Sequence, residues 1–449
     1  MHEIAFDPAN AKAALAQLPT ASAVFALYGE DAHAEPYIGR TPNLRARLER
    51  LLQPSPKHPR RLQLAGRVRQ IRWRLTGSEF ESLLLQFELL QNVYGTKSLE
   101  RMHLGAPAFI RFLGSNAYPH IVVTHRPSQR EAEWAYGPFQ SRAAAERFAD
   151  EALKLFLLRR CTEELSPNPA HPGCVYSEMK MCLAPCYQGC TDQRYSQEAA
   201  AVERFLATRG ESSLVTIRTE RDQASANLEF ETAAALHAQV QRVEAVRTLA
   251  PELVRPLSQL RAIILQASAI PGEVAVFLYE NGNLRGPASF STLGMRIQNE
   301  QSGSTSLFAH PMAIEAIPEA PIAAPPIASE TALDASATET APPQVASAEV
   351  ESNAPARLAR GVLEARMEAA LAMLAAPSAS PSPTLRQGHL ALLKRWYYRP
   401  EIRRTGEIFF PDAEDHWPVK AMLRGVGRVA GKMLAAGNRE IKINPDPTK

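Results

Sequence analysis

Cysteine is missing from most of this 449-residue chain, because all five cysteines fall between Cys161 and Cys190. No stretch reaches the roughly 18 consecutive apolar residues that a membrane helix needs. The N-terminal residues also lack the basic start and apolar run of a secretory leader. These absences predict a protein of the reducing cytoplasm with no membrane partner, in which clustered thiols are available as ligands.

Lys and Arg are absent from one long region in the C-terminal half of the chain. Residues 297–356 contain eight acidic residues and no Lys or Arg, whereas residues 357–449 contain sixteen basic and nine acidic residues. The acidic region is rich in Ala, Pro and Ser and has almost no aromatic residues, which is typical of a disordered linker. A basic part beyond an acidic linker fits a nucleic-acid binder, and a globular protein with a flexible loop would give similar counts.

The five cysteines that are present have a distinctive spacing. Twelve residues separate Cys161 from Cys174, seven separate Cys174 from Cys182, and three separate Cys182 from Cys186. Four thiolates can complete a tetrahedral metal site or hold an iron–sulfur cubane. Two disulfides are the alternative, which a reducing compartment disfavours. No histidine stands at a zinc-finger spacing, and the intervals are longer than those of zinc ribbons.

The residues around these cysteines carry a family resemblance. The stretches concerned are Leu157–Cys161, Gly173–Tyr176 and Met181–Cys186. They resemble the cysteine region of the UvrC family, the incision subunit of bacterial nucleotide excision repair. The resemblance implies a [4Fe–4S] cluster with the ligands Cys161, Cys174, Cys182 and Cys186, and it gives Cys190 no counterpart.

The N-terminal part predicts two short strands and an amphipathic helix. The strands are Ala23–Tyr28 and Pro36–Arg40, and the helix is Asn43–Leu52, with Leu44, Leu48, Leu51 and Leu52 on one face. Taken alone, this is a β-hairpin followed by a basic helix. Together with the helix predicted at Glu79–Gln91, the segment Tyr118-Pro119 and the segment Tyr136–Phe139, it resembles the GIY-YIG nuclease domain of the UvrC family.

That resemblance implies phosphodiester hydrolysis assisted by Mg²⁺ or Mn²⁺, because negative charge that grows on a phosphate must be met by positive groups. By position, Tyr37 is the tyrosine that helps to activate water, and Arg47 is the arginine that stabilises the phosphate. Arg40 stands where the family usually has a lysine. Three positions depart from the pattern: Phe25 replaces a tyrosine, Gln86 replaces the metal-binding glutamate, and the expected asparagine aligns near Ser98.

A neutral amide is a poorer magnesium ligand than a carboxylate. At about 100° per residue, Glu81 and Glu88 lie far round the helix from Gln86, and Glu79 is two turns away. No neighbouring acid is therefore well placed to substitute. The interpretation favoured by these changes is that the domain no longer cuts DNA by the family mechanism.

A helix is expected at residues 143–157 and another at 192–208, followed by a long helical stretch at 214–249. Within this stretch, residues 224–236 resemble the UVR motif, a helical hairpin through which UvrC pairs with the UvrB helicase subunit. The interface candidates are Leu228, Phe230, Ala233 and Leu236. Taken without the family order, an alanine-rich hairpin of no special function has the same pattern.

The C-terminal half predicts strands at 260–266, 273–279 and 284–290, with Asn281-Gly282 as a tight turn. Beyond the linker, helices are expected at 356–374, 385–398 and 419–435, and a strand at 406–410. The segment Lys394–Arg399 mixes basic and aromatic residues, as a DNA contact or a core edge with a basic rim would. The resemblance ends near residue 295, and no carboxylate triad resembling the family's second, RNase H-like nuclease follows.

The sequence thus predicts an α+β protein of several domains. The parts are a GIY-YIG-like domain (1–100), an extension with the cysteine cluster (101–210), a UVR-like hairpin (211–252), a β-hairpin segment (253–300), the linker (301–356) and a basic C-terminal domain (357–449). Two functions follow: a UvrC-like endonuclease that acts on damaged DNA with a UvrB-like helicase subunit, or a catalytically degenerate adaptor that binds the same partners.

Overall fold

The computed structural model describes residues 1–31, 34–52, 64, 66–125, 135–295, 359–376 and 381–443, with side chains to residue 435. This part of the chain is α+β, as predicted, and contains three four-stranded antiparallel sheets. The predicted linker at 301–356 lies outside the described residues. Within the described residues, no helix combines the length and apolarity that crossing a membrane requires.

The first sheet contains both strands predicted in the N-terminal part. Its order is β1-β4-β2-β3, with β1 at His2–Ala5, β2 at Ala23–Gly29, β3 at Tyr37–Thr41 and β4 at Val68–Leu75. Helices α1 (Ala11–Ala16) and α2 (Leu44–Leu52) pack on one face of it. The Asn43 side chain caps α2 by accepting the Ala46 N–H at 3.0 Å.

Two helices lead from the first sheet to the second, α3 (Glu79–Tyr94) and the short α4 (Ser98–Arg101). The second sheet has the order β6-β5-β7-β8, with β5 at Ala108–Phe112, β6 at Ile121–Thr124, β7 at Ala135–Phe139 and β8 at Arg255–Pro256. Helix α5 (Arg142–Leu153) packs against this sheet.

Helix α5 is shorter than the predicted helix at 143–157, so that prediction was wrong for its last turn. The chain leaves the helix after Leu153 because tertiary contacts hold the following residues. The Leu157 N–H donates to Glu198 Oε1 at 2.7 Å, and Leu158 is completely buried. Packing therefore decides where this helix ends.

The cysteine region follows, and then three long helices. The elements are α6 (Val175–Glu178), α7 (Asp192–Ala207), α8 (Glu211–Ala226) and α9 (Phe230–Thr248). Arg209 and Gly210 have φ angles of 53° and 83°, which ends the helical run after α7 close to the predicted stop. Helices α8 and α9 form the predicted hairpin, and the turn between them interrupts the long helical stretch.

The third sheet joins two parts of the sequence that were predicted separately. Its order is β11-β10-β9-β12, with β9 at Ala262–Ala267, β10 at Glu273–Glu280, β11 at Asn283–Ser291 and β12 at Glu407–Phe409. Asn281 and Gly282 both have positive φ, as the tight turn requires. Strand β12 pairs antiparallel with β9, so the β-hairpin segment and the C-terminal part share one sheet.

Three helices cover the third sheet: α10 (Arg360–Ala375), α11 (Pro383–Tyr397) and α12 (Val419–Ile443). Helices α10 and α12 pack on one face, and α11 packs with α3 on the other. Phe87 of α3 is completely buried, and Gly388 of α11 leaves the space that its ring occupies. Helix α3 therefore links the first sheet to the third.

We predict that Gly388→Ala weakens this contact. A Cβ at Gly388 would lie 2.0 Å from Cζ of Phe87, so the helices must separate or the ring must move. The expected loss is about 2 kcal/mol in the free energy of unfolding, measured by urea denaturation. The matched control is Gly427→Ala in α12, where a Cβ would meet open space. It should gain up to about 1 kcal/mol, and equal behaviour of the two variants would contradict the prediction.

We also predict an acid-sensitive contact at His389, which is 2 % exposed and accepts the Leu284 N–H through Nδ1 at 3.0 Å. Burial lowers its pKa to about 4. The unfolded chain, with a histidine pKa of about 6.5, binds a proton that the folded chain refuses, so stability falls as the pH drops from about 6.5 to about 4.

The loss expected across that window is about 3 kcal/mol, measured by urea denaturation at several pH values. His389→Asn keeps an acceptor for the Leu284 N–H and should flatten the profile. His416→Asn changes an exposed histidine and should leave the slope as it is. A slope that is the same in wild type and His389→Asn would rule out this histidine as its source.

Candidate functional site

The strand pair of the first sheet holds two of the predicted nuclease positions, Phe25 and Tyr37. Phe25 lies on β2 opposite Gly39 of β3, and its ring is completely buried. A Cβ at Gly39 would lie 2.8 Å from Cζ of Phe25, so the ring fills the space above this glycine. The ring centroids of Phe25 and Tyr37 are 6.1 Å apart. The place of the missing hydroxyl is therefore apolar core.

The predicted residues of this domain lie on two faces of the sheet. Side chains alternate along a strand, so Tyr37 faces the same side as Phe25, toward α1 and α2, whereas Ile38 and Arg40 face α3. Arg47 belongs to α2 and is half-buried. The structure thus brings Tyr37 and the helix of Arg47 to one face and turns Arg40 to the other.

Arg40 faces the carboxylate of Glu79, which already pairs with a second arginine, Arg399. Its Nη1 lies 3.4 Å from Oε1 of Glu79, and Arg399 from the C-terminal part contacts both oxygens of Glu79 at 2.7 and 2.8 Å. The hydrogen bond from Arg399 holds the pKa of Glu79 below its ordinary value. Glu79 is therefore ionised, but its oxygens are occupied by guanidinium groups.

The other acids of α3 are also poorly placed to replace the carboxylate missing at Gln86. Glu81 is buried and accepts the Gly77 N–H at 2.9 Å, and burial raises its pKa. Burial raises the pKa of Glu88 to about 7. Gln86 itself is half-buried. On α3, which the structure describes in full, Glu79 and Glu81 are held by other groups and Gln86 is neutral, so the predicted ligand position does not fit an Mg²⁺ or Mn²⁺ ion.

The segment Lys394–Arg399 matches the core-edge interpretation. Trp396 is buried and donates its Nε1–H to Thr405 O at 2.9 Å, and Tyr398 donates its hydroxyl to Pro138 O at 2.9 Å. Arg399 holds Glu79. These side chains fasten the C-terminal part to the other sheets, and Trp396 is closed to bases.

The cysteine region is a folded loop between α5 and α7. Cys161 lies in the chain beyond α5, and Cys174 is the residue before α6. Cys182 and Cys186 lie on either side of Ala184, which has a positive φ of 51°. The Leu183 N–H donates to Leu157 O, and the Asn168 N–H donates to Cys186 O, both at 2.9 Å. All five cysteines are free thiols.

Four of the thiols are close enough to influence one another. Burial raises the pKa of Cys182, and the charges of Cys174, Cys186 and Cys161 raise it further. Burial also raises the pKa of Cys186, with further contributions from Cys174 and Cys161. The charged neighbours of Cys190 are instead Asp192 and Arg194. Cys190 therefore stands apart from the group of four, packed against the core of the second sheet.

The donor chemistry of this group fits an iron–sulfur cluster. The backbone N–H groups of Ala184 and Tyr187 are hydrogen-bonded to the sulfurs of Cys182 and Cys186. Such bonds tune metal-bound thiolates. Among the described residues, no group of three or more His, Cys, Asp or Glu side chains is arranged to hold a metal ion. The fit therefore rests on four neighbouring thiols and their N–H donors.

A buried arginine beside this group was not recognised as a functional residue from the sequence. Arg159 is 3 % exposed and donates to Tyr118 O, Glu163 O and His120 Nδ1 at 3.1, 2.9 and 2.8 Å. Burial and the charge of Arg159 lower the pKa of His120, which keeps the imidazole neutral as an acceptor.

In the described chain, Arg159 donates to two carbonyl oxygens and a neutral imidazole. None of these groups is a carboxylate, so none of them balances the positive charge of Arg159. Its Nη1 also lies 3.8 Å from Sγ of Cys161. A buried cation is costly unless an anion is near. The sequence signal for this buried arginine was the pair Arg159-Arg160 immediately before Cys161.

The predicted partner-binding residues lie at the tip of the α8–α9 hairpin. Leu228, in the turn with a φ of 64°, is 72 % exposed, and Phe230 is 67 % exposed. Ala233 and Leu236 are half-buried on α9. The pair at the tip is an exposed apolar surface, and such surfaces mark contact sites when they are contiguous.

Comparison with known proteins gives one family match. The family described as "UvrC/Cho excinuclease, middle domain" matches residues 109–205, which include the second sheet through β7 and the whole cysteine loop. No solved structure matches the chain.

Three similar curated proteins share the name "UvrABC system protein C". The protein from Alcanivorax borkumensis is 29% identical over 211 residues, or 47% of this chain and 34% of the relative. The protein from Ruegeria sp. (strain TM1040) is 28% identical, with 47% and 33% covered, and the one from Ruminiclostridium cellulolyticum is 26% identical, with 62% and 45% covered. The chain thus spans less than half the length of these relatives. These findings confirm the resemblance to the UvrC family.

We predict that Arg159→Met lowers the free energy of unfolding by about 3 kcal/mol, because three buried acceptors lose a charged donor. Urea denaturation under reducing conditions measures the loss. Arg160→Met is the matched control, since Nε and Nη2 of Arg160 have no hydrogen-bond partner in the described structure, and it should cost under about 1 kcal/mol. Equal losses in the two variants would show that the Arg159 network contributes nothing specific.

Proposed function

We propose that this chain is a UvrC-like component of nucleotide excision repair that acts on damaged DNA. The observation that carries the proposal is the match of residues 109–205 to the UvrC/Cho middle domain, with the four-cysteine loop inside it. The exposed apolar hairpin tip follows in the chain, where the family resemblance expects the UVR motif. A reducing cytoplasm, where the thiols stay available, is the expected compartment.

We infer that Cys161, Cys174, Cys182 and Cys186 hold a [4Fe–4S] cluster. A bound cluster would supply a rigid cross-link among the loop segments and a redox-active group. The protein contributes four thiols, the N–H groups of Ala184 and Tyr187, and the buried guanidinium of Arg159 near Cys161. The guanidinium would balance part of the negative charge of the cysteine ligands.

We propose that the role within repair is binding rather than cutting. The nuclease-like unit keeps Tyr37 and Arg47, with Arg40 in place of the usual lysine, which is the basis for the alternative of a metal-dependent GIY-YIG endonuclease. Against cutting stand Phe25, which has no hydroxyl, and Gln86, which replaces a carboxylate. The capture of Glu79 by Arg40 and Arg399 supports the same conclusion, because the nearby acid on that face is occupied.

We propose that the hairpin tip is the docking surface for a UvrB-like helicase subunit. Leu228 and Phe230 present apolar area, and the stems of α8 and α9 are joined by ion pairs, such as Arg218 with Glu244 at 2.7 Å. A rigid stem with an apolar tip suits a contact whose energy is concentrated in a few large side chains.

One experiment tests the role in repair. The full chain, purified anaerobically, is incubated with a lesion-containing duplex, Mg²⁺ or Mn²⁺, and the UvrA and UvrB partners. We expect no nick from wild type. A wild-type nick that disappears in both Tyr37→Phe and Arg47→Ala would establish the endonuclease instead. Gln86→Glu restores a carboxylate and tests whether that loss alone silences the site.

Docking is measured in parallel as binding to UvrB. Phe230→Ala should weaken the association at least tenfold, because a large apolar anchor is removed. Val215→Ala removes an apolar side chain that is 56 % exposed and lies about 20 Å along the hairpin from the tip, and this variant should bind like wild type. The same affinity for both variants would argue against the tip as the interface.

A further inference from the structure

The middle of the protein contains a cavity that neither the cysteine loop nor the nuclease-like unit uses. Its volume is about 280 Å³, and it opens between the second sheet and helices α5, α7 and α9. Aromatic rings of Tyr136, Phe148 and Phe205 line it, together with the guanidinium groups of Arg209 and Arg247. It thus combines an apolar wall with concentrated positive charge.

Arg209 is the central cation of this cavity. Its Nη2 reaches Ala250 O at a long 3.4 Å, and its buried Nε has no hydrogen-bond partner in the described structure. Arg209 has a positive φ of 53° and precedes Gly210, whose N–H donates to Phe205 O at 2.7 Å. This turn fixes the backbone of Arg209 at the cavity. A buried donor without an acceptor is costly and indicates a place for an acceptor.

Two more guanidinium groups lie close by. Arg247 runs along Gly210, where a Cβ would lie 3.0 Å from its Cγ. Arg255 is near Arg209 and Tyr136, and burial together with the charge of Arg209 lowers its pKa to about 10. The charges of Arg209 and Arg255 repel each other, and an anion beside them would reduce that repulsion.

The acidic side chains Glu211 and Glu244 near the cavity are each paired with an arginine other than Arg209. Glu211 pairs with Arg247 at 2.9 Å, and Glu244, which lines the cavity, pairs with Arg218 at 2.7 Å. Arg255 donates through Nε and Nη2 to the backbone oxygen of Glu252. No carboxylate contacts Arg209 in the described part of the chain. The positive charge of Arg209 therefore remains available.

We propose that this cavity binds a phosphate group, with Arg209 as the principal contact and the Tyr136 hydroxyl and Arg247 beside it. Guanidinium groups match phosphate oxygens in geometry and stay charged when partly buried. The inference does not depend on the proposed repair function. The phosphate belongs either to a free small molecule or to the end of a nucleic-acid strand.

Titration calorimetry with the full chain tests this site, using three probes: inorganic phosphate, a trinucleotide with a 5′-phosphate and the same trinucleotide with a 5′-hydroxyl. We expect a phosphate-bearing probe to bind and the 5′-hydroxyl form to bind at least tenfold more weakly. Binding of inorganic phosphate alone would identify a free-phosphate site, and binding of the phosphorylated trinucleotide alone would identify a strand-end site. No binding of either phosphate probe would overturn the proposal.

Three variants locate the site. Arg209→Met should weaken phosphate binding at least tenfold, and Arg242→Met, which changes an exposed arginine on the same helix as Arg247, should leave it unchanged. Glu244→Gln removes an exposed negative charge from the lining and should strengthen binding severalfold, a gain that no folding defect can imitate. Equal effects of Arg209→Met and Arg242→Met, or no gain in Glu244→Gln, would overturn the assignment.

Discussion

The burial of helix α3 is the constraint on which much of the structure depends. This helix packs against β3 of the first sheet and against α11 on the third sheet, so apolar side chains such as Phe80 and Phe87 are enclosed on more than one side. A helix apolar over most of its circumference cannot face water. The two flanking parts of the chain are therefore held together by the same helix that would have to present a metal ligand.

That constraint explains the state of the nuclease-like unit. Two acids of α3 make structural contacts. Glu79 pairs with Arg40 and Arg399, and Glu81 accepts the N–H of Gly77. Phe25, on the other face of the sheet, is a core residue packed over Gly39. Side chains that stabilise an interface and fill a core are not free to bind a cation and a water.

The middle of the protein is organised by buried arginines. Arg159 is satisfied by two carbonyl oxygens and a neutral histidine and faces the thiol of Cys161. Arg209 has a buried donor with no acceptor. A buried guanidinium needs compensation, and we propose a cluster-ligating cysteine for this role in one site and an external phosphate in the other. Both lie near the core of the second sheet, on opposite sides of α7 in the sequence.

The sequence alone determined the local elements and the chemistry that needs only neighbours along the chain. The period of Leu44, Leu48 and Leu52 specified α2, Asn281-Gly282 specified a hairpin, and the cysteine spacing marked the thiol group, because each depends on short-range geometry. Tertiary structure alone decided where α5 ends and that β12 completes the sheet begun by β9. It also decided that Arg399 reaches Glu79 and that Arg209 meets Tyr136. These contacts join residues far apart in sequence, and their energy comes from burial and charge that no local pattern records.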